Sequence, residues 1–188
     1  MSTRTVAVAV VVGSLRKDSM NRKMAQALVC LAPAFLKFVF ADIGDLSLYN
    51  QDLDNNSPAS WVAFRDKIRP VDAVLFVTPE YNRSVPGVLK NAIDIGSRPY
   101  GQSIWDKKPA GIVSVSPSAL GGFGSNHHLR QSLVALNMPT LPQPEVYIAH
   151  GDKLFDAEGN FVEERNRAFA QKFIDAFAAW VEMLAQAK

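Results

Sequence analysis

The chain has 188 residues, 48% hydrophobic and 20% charged, with one cysteine and a formal net charge of +2. That length can bury the core of one domain without a staple, and the lone Cys30 excludes an intramolecular disulfide and a cysteine-based metal cluster. Lysines and arginines are scattered rather than clustered, which argues against a nucleic-acid surface, and no apolar run approaches the roughly 18 residues that span a bilayer.

Val6–Val12 is a continuous apolar run rich in β-branched residues, as in a strand buried on both faces. It is too brief for a secretory leader and lacks a small-residue cleavage pattern, so the expected location is cytoplasmic. From Met20, apolar residues at Met24, Ala27, Leu28 and Leu31 share a helical face, and Pro33 closes it. Lys37–Ala41 reads as a strand and GDLSLYNQDLDNNSP as a loop. Trp61, Phe64 and Ile68 mark a second helix, with Ser57 and Pro58 as cap and first-turn proline and Pro70 as its stop. Ala73–Val77 is the third strand, a helix runs from about Pro86 to Ser97, and Gly111–Val115 is the fourth strand. Leu129, Leu133 and Leu136 share the face of a fourth helix. Pro142–Ile148 holds a fifth strand punctuated by prolines, and Phe169, Phe173, Phe177, Trp180 and Leu184 form the stripe of a C-terminal helix. Strands alternating with helices imply right-handed βαβ units and a parallel sheet covered on both faces, hence one α/β domain over residues 1–188. Ligands in such folds sit beyond the carboxyl ends of the strands. The loops after strands one, three and four therefore carry the function.

The first loop reads GSLRKDSMN, from Gly13. It is neither a Walker loop nor GxGxxG. Ser14, Ser19, Asn21 and Arg16 are nevertheless donors that converge on an anion at a helix N-terminus. The plainer alternative is that Ser19 or Asn21 caps the helix while Arg16 is solvated. The second loop opens TPEYNRSVPG, stiffened by two prolines, and places Tyr81 and Asn82 where a planar ligand could lie. The third, SVSPSALGGFGSNHHLRQ, removes side chains at Gly121, Gly122 and Gly124. His127 and His128 lack a partner at metal spacing and are expected at the surface or an interface, with no metal bound.

The order GSLRxxSxN, PEYNxSxPGxLKNAID and a Gly-Gly loop with HLRQ resembles the NADPH-dependent FMN reductase family, in its bacterial chromate and quinone reductase branch. The likeness runs from about Val6 to Glu145. It implies a flavodoxin-like three-layer sandwich with a five-stranded parallel sheet in the order 2-1-3-4-5. It also implies bound FMN, NADPH or NADH as electron donor, and quinones and similar small acceptors reduced by ping-pong two-electron hydride transfer. The chemistry would lie at flavin N5, with no catalytic side chain. Carried over, Ser14, Arg16, Ser19, the Met20 backbone and Asn21 hold the FMN phosphate. Pro79, Glu80, Tyr81 and Asn82 border the isoalloxazine, and Ser116, Gly121 and Gly122 approach from the other side. Asp18 stands where relatives often carry glycine, and Arg83 where they often carry an aromatic residue. Arg83 is read as favouring anionic acceptors such as chromate or ferricyanide, or the NADPH phosphates. A solvated arginine or an interface salt bridge is the equal alternative. The likeness further implies a homodimer. A tetramer-stabilising arginine, tyrosine and glutamate of relatives align with Gly124, His127 and Glu145, so only the glutamate is retained. Three rivals are a flavodoxin-type electron carrier, a binding or regulatory module without reductase turnover, and a hydrolase or transferase on the same fold, which would need a nucleophile with a paired base that the sequence does not offer. The slightly basic charge speaks against the first, and the retained polar set of the first loop against the second.

Overall fold

In the computed structural model, which describes residues 5–186, β1 (Val6–Val12) is the strand the apolar run demands. It pairs with β2 (Leu36–Ala41) along one edge and β3 (Ala73–Thr78) along the other, and helices cover both of its faces. β4 (Ala110–Val115) and β5 (Val146–Ile148) extend the sheet, every pairing is parallel, and the order is β2-β1-β3-β4-β5. The connecting helices are α1 (Met20–Leu31), α2 (Ala59–Ile68), α3 (Gly87–Gly96), α4 (Phe123–Ala135) and α5 (Glu164–Gln186).

Strand alternation divides the core. Val8, Val10 and Val12 face Met24 and Leu28 of α1 and Phe173 and Phe177 of α5. Ala9 and Val11 face the other side, with Trp61 and Phe64 of α2, Leu89 and Ile93 of α3, and Leu129 of α4. Phe173, Phe177 and Leu28 are essentially inaccessible, and each such side chain contributes about 1.5–3 kcal/mol. The result is the flavodoxin-like three-layer sandwich, with the carboxyl ends of β1, β3 and β4 side by side on one rim.

Two local expectations differ. β5 starts at Val146 rather than Pro142, because Pro142 and Pro144 have no N–H for a ladder. Pro58, not Ser57, is the N-cap of α2, with no side-chain cap bond. The Ser57 hydroxyl instead accepts from Arg65 Nη1 at 2.8 Å and donates to the Asp54 carbonyl. The loop before α2 also contains a 3-10 turn over Gln51–Asn56.

Candidate functional site

At the end of β1 the chain stays close against β3. Gly13 N–H donates to the Val77 carbonyl at 2.9 Å, and a Cβ at this position would lie 2.8 Å from Thr78 Oγ1. The loop then enters α1 with Ser19 as N-cap, its Oγ accepting from Arg22 N–H at 3.2 Å. The first turn of α1 has no acidic residue, so no carboxylate within that turn offsets the positive end of the helix. N–H groups of that turn have no intrahelical acceptor, which makes the loop an anion site. Ser14 is buried and accepts from Arg16 N–H at 3.4 Å, leaving its hydroxyl proton available to a guest. Arg16 and Asp18 are both exposed.

Asn21 is 2% exposed, and its Nδ2 donates to the Val115 carbonyl at 3.1 Å, tying the start of α1 to the end of β4. Its Oδ1 is buried without a hydrogen-bond partner. An unsatisfied buried acceptor costs about 1–3 kcal/mol, a deficit that a ligand hydroxyl removes. The sequence reading gives Asn21 to a phosphate. The amide as placed offers an acceptor, which suits a hydroxyl better.

Beyond β3, Pro79 and Glu80 are fixed by α4. Ser125 Oγ donates to the Pro79 carbonyl at 2.9 Å, and Ser125 N–H to Glu80 Oε2 at 3.1 Å. Arg83 Nη1 donates to the other carboxylate oxygen at 2.9 Å. Tyr81 and Ser84 exchange two backbone bonds of 3.0 Å around Asn82 (φ 51°) and Arg83 (φ 65°), the backbone of a type I′ turn. Asn tolerates the left-handed region; Arg pays about 1–2 kcal/mol there.

A cleft of about 210 Å³ opens between these loops. The first contributes Ser14, Arg16, Ser19, Met20 and Asn21, the second Pro79, Glu80 and Tyr81, and the third Val115, Ser116 and Pro117. Asn82, Arg83, Gly121 and Gly122 do not line it. Gly121 (φ 60°) and Gly122 (φ 83°) answer to internal packing, since a Cβ would lie 2.7 Å from the Tyr147 carbonyl carbon and 2.8 Å from Ser114 Cβ respectively. Val115 and Pro117 were not singled out from the sequence; their one signal is adjacency to Ser116.

The histidines lie apart from the cleft. His127 Nε2 is 2.9 Å from the Tyr147 hydroxyl, which donates to Glu145 Oε2 at 2.5 Å. Burial, then the hydrogen bond and charge of Glu145, push the Tyr147 pKa well above the ordinary tyrosine value. The phenol therefore keeps its proton for Glu145, and its oxygen accepts from His127 Nε2–H. Phe123, 50% exposed, packs on His127 at a ring separation of 4.3 Å. Gly124 has no room for a larger residue, because a Cβ would lie 2.8 Å from the Arg83 carbonyl oxygen. His128 Nδ1 meets Ser84 Oγ at 3.0 Å. Among the described residues no group of three His, Cys, Asp or Glu could hold a metal ion.

The profile of NADPH-dependent FMN reductases matches residues 6–153. This chain belongs to the NADPH-dependent FMN reductase family. It is 57% identical over 182 residues to a quinone reductase of Pseudomonas putida, covering 96% of this chain and 97% of that protein. It is 50% identical over 174 residues to a 2-hydroxy-1,4-benzoquinone reductase of a Burkholderia species, covering 93% and 95% respectively. The fold matches that of FerB, a flavoenzyme NAD(P)H:(acceptor) oxidoreductase from Paracoccus denitrificans, with a TM-score of 0.90 at 43% identity, over 95% of this chain and 98% of that one. The flavin of an FMN reductase is a phosphate, a polyhydroxylated chain and a planar ring system. The cleft fits those parts: donors at the α1 N-terminus for the first, the unpartnered Asn21 acceptor for the second, and the apolar surfaces of Pro79, Tyr81, Val115 and Pro117 for the third.

Proposed function

We propose that this protein is an FMN-dependent NAD(P)H oxidoreductase that reduces quinones and similar small acceptors by a ping-pong cycle. The observation that carries the site assignment is that one cleft is lined both by the N-terminus of α1, which has no acidic residue in its first turn, and by Asn21, whose buried Oδ1 lacks a partner. When bound, the flavin supplies the two-electron chemistry, taking hydride from a nicotinamide and delivering it to the acceptor.

The residues of the chain hold and orient. Ser14, Ser19 and the free N–H groups of α1 bind the phosphate, and Arg16 adds a charge-assisted bond worth about 1.5–3 kcal/mol. Asn21 accepts from a hydroxyl of the ribityl chain. Glu80 is a strut rather than a base, because both of its oxygens are occupied, by Ser125 N–H and Arg83. Pro79, Tyr81 and Ser116 complete the walls that set the flavin against donor and acceptor. Asp18 is exposed and leaves the phosphate subsite to its donors.

Three finer points belong to the same proposal. Arg83 selects anionic acceptors, chromate and ferricyanide among them, or the phosphates of NADPH; its side chain is 69% exposed and bridges to Glu80. The protein works as a homodimer, supported by the exposed apolar side chains of Tyr81 in the loop after β3 and of Leu120 and Phe123 between β4 and the first turn of α4. The Glu145–Tyr147–His127 chain is the candidate contact for a tetramer. The location is cytoplasmic, supported by the exposed free thiol of Cys30. No helix among the described residues is long and apolar enough to cross a membrane.

The test is to purify the protein, record its absorption spectrum with and without added FMN, and follow NADH and NADPH oxidation with and without a quinone. Flavin uptake and quinone-dependent turnover are the expected results. A protein that takes up no FMN removes the reading. A bound flavin that neither nucleotide reduces moves the protein to an electron carrier.

A further inference from the structure

The ring end of the flavin cleft is poor in backbone donors. Pro79 and Pro117 carry no N–H, the Tyr81 N–H goes to the Ser84 carbonyl at 3.0 Å, and the Ser116 N–H goes to the Ile148 carbonyl at 3.0 Å. Val115 is the last residue of β4 and pairs with Ile148 in the sheet. That leaves the Glu80 N–H, which has no acceptor among the described residues.

Its direction is set from behind. The Pro79–Glu80 peptide is trans, so the Glu80 N–H points opposite to the Pro79 carbonyl. That carbonyl accepts two bonds of 2.9 Å, one from Thr78 Oγ1 and one from Ser125 Oγ. Thr78 and Ser125 are both fully buried, and their hydroxyls fill the two lone pairs of the carbonyl oxygen. Turning the peptide over would give up both bonds. The Glu80 side chain is drawn toward the same helix. α4 starts at a glycine N-cap with no side-chain cap bond, and the N–H of Ser125, its third residue, is taken by Glu80 Oε2 at 3.1 Å. A carboxylate is stabilised at a helix N-terminus, and Arg83 holds its other oxygen. With carbonyl and carboxylate both bound behind the loop, Glu80 presents its N–H to the cleft.

We infer that Ser125 and Thr78 are positioning residues for the flavin: their hydroxyls clamp the Pro79 carbonyl and so aim the Glu80 N–H at an acceptor on the edge of the isoalloxazine. This rests on the flavin reading above. Neither residue lines the cleft, so both act through the peptide they hold.

Thr78→Val removes one hydroxyl at nearly constant shape, Thr78→Ser returns it, and Ser125→Ala removes the other. Each variant tests the clamp by itself, so a Ser125→Ala chain that failed to fold would leave Thr78→Val to decide. The Glu80 amide is followed by NMR in protein labelled with nitrogen-15 glutamate while FMN is added. In the wild type its proton resonance is expected to move downfield, the signature of a new hydrogen bond. In Thr78→Val and Ser125→Ala that movement is expected to shrink, and FMN affinity, read by fluorescence titration, to fall about fivefold, the size of one neutral hydrogen bond. Riboflavin, which lacks the phosphate, should lose the same factor, and Thr78→Ser should restore both readings. A wild type that binds no FMN overturns the flavin reading and this inference with it. FMN bound with the Glu80 resonance unmoved overturns the inference alone. So does an equal movement in the wild type and both variants, or a Thr78→Ser protein as impaired as Thr78→Val. A loss of affinity confined to FMN places the effect at the phosphate and overturns it as well.

Discussion

Arg83 concentrates the difference between this chain and an aromatic residue at the same place. Its backbone is left-handed at φ 65° next to Asn82 at φ 51°, in a turn type that favours glycine at the second of those positions. Its guanidinium is exposed and makes one ion pair, a class of contact worth about 0–1 kcal/mol. Arg83→Ala keeps most of the backbone strain and loses only that pair, so thermal stability should change little. The functional prediction is sharper. KM for ferricyanide and chromate, or for NADPH, should rise in Arg83→Ala while KM for a neutral quinone holds, as steady-state kinetics will read directly. An equal loss for every acceptor would mean that Arg83 merely supports Glu80. Asn21 shows the other side of reading residues one at a time. Its type and position are visible in GSLRKDSMN, but which end of its amide is free depends on Val115, 94 residues away in the chain.

At the level of elements, α1 is where sequence and site meet most closely. Ser19 caps the helix and also lines the cleft, so the cap does not compete with the proposed anion site. Two substitutions separate the roles. Ser19→Ala loses a cap worth about 1 kcal/mol and a donor, and should lower the Tm of the apoprotein by roughly 2–4 °C while weakening FMN. Ser19→Asp keeps a capping oxygen but sets a carboxylate beside the phosphate, so Tm should hold while FMN affinity falls at least as far. If Ser19→Asp binds FMN like the wild type, the phosphate is not at this helix end. Most elements were legible because their burial is two-sided or amphipathic: β1 has no polar residue to misplace, and α5 repeats its aromatic stripe. What was not legible depends on partners distant in sequence. Pro142 and Pro144 shorten β5, and Gly121 and Gly122 look like room left for a ligand until Tyr147 and Ser114 are seen to fill it. Arg16, Ser19 and Tyr81 could be placed on one rim from strand order alone; Val115 and Pro117 could not be distinguished from their neighbours.

The molecule as a whole depends on how its short edge strand is held. β5 has three residues, yet it is cross-braced: Ser114 Oγ and Asn126 Nδ2 both donate to the Val146 carbonyl, at 3.3 and 3.2 Å. The Tyr147 hydroxyl then links Glu145 beside β5 to His127 on α4. Since α4 also fixes Glu80 through Ser125, this edge and the cleft wall share one helix. Burial and Glu145 raise the Tyr147 pKa above its ordinary 10.0, so the folded state holds the phenolic proton more tightly than the unfolded chain does. The sign follows: the stabilisation is fully present below pH 10 and is lost as pH rises from there through the folded value. Tyr147→Phe has no such proton, and the lysines and other tyrosines titrate alike in both proteins. The difference in unfolding free energy between wild type and Tyr147→Phe, measured by urea denaturation from pH 8 to 11.5, should therefore be constant up to about pH 10 and then shift steadily against the wild type. A difference that stays flat to pH 11.5 would show that Tyr147 ionises no more reluctantly in the fold than outside it, and the link between β5 and α4 would then rest on the Asn126–Val146 bond and on packing against Phe123.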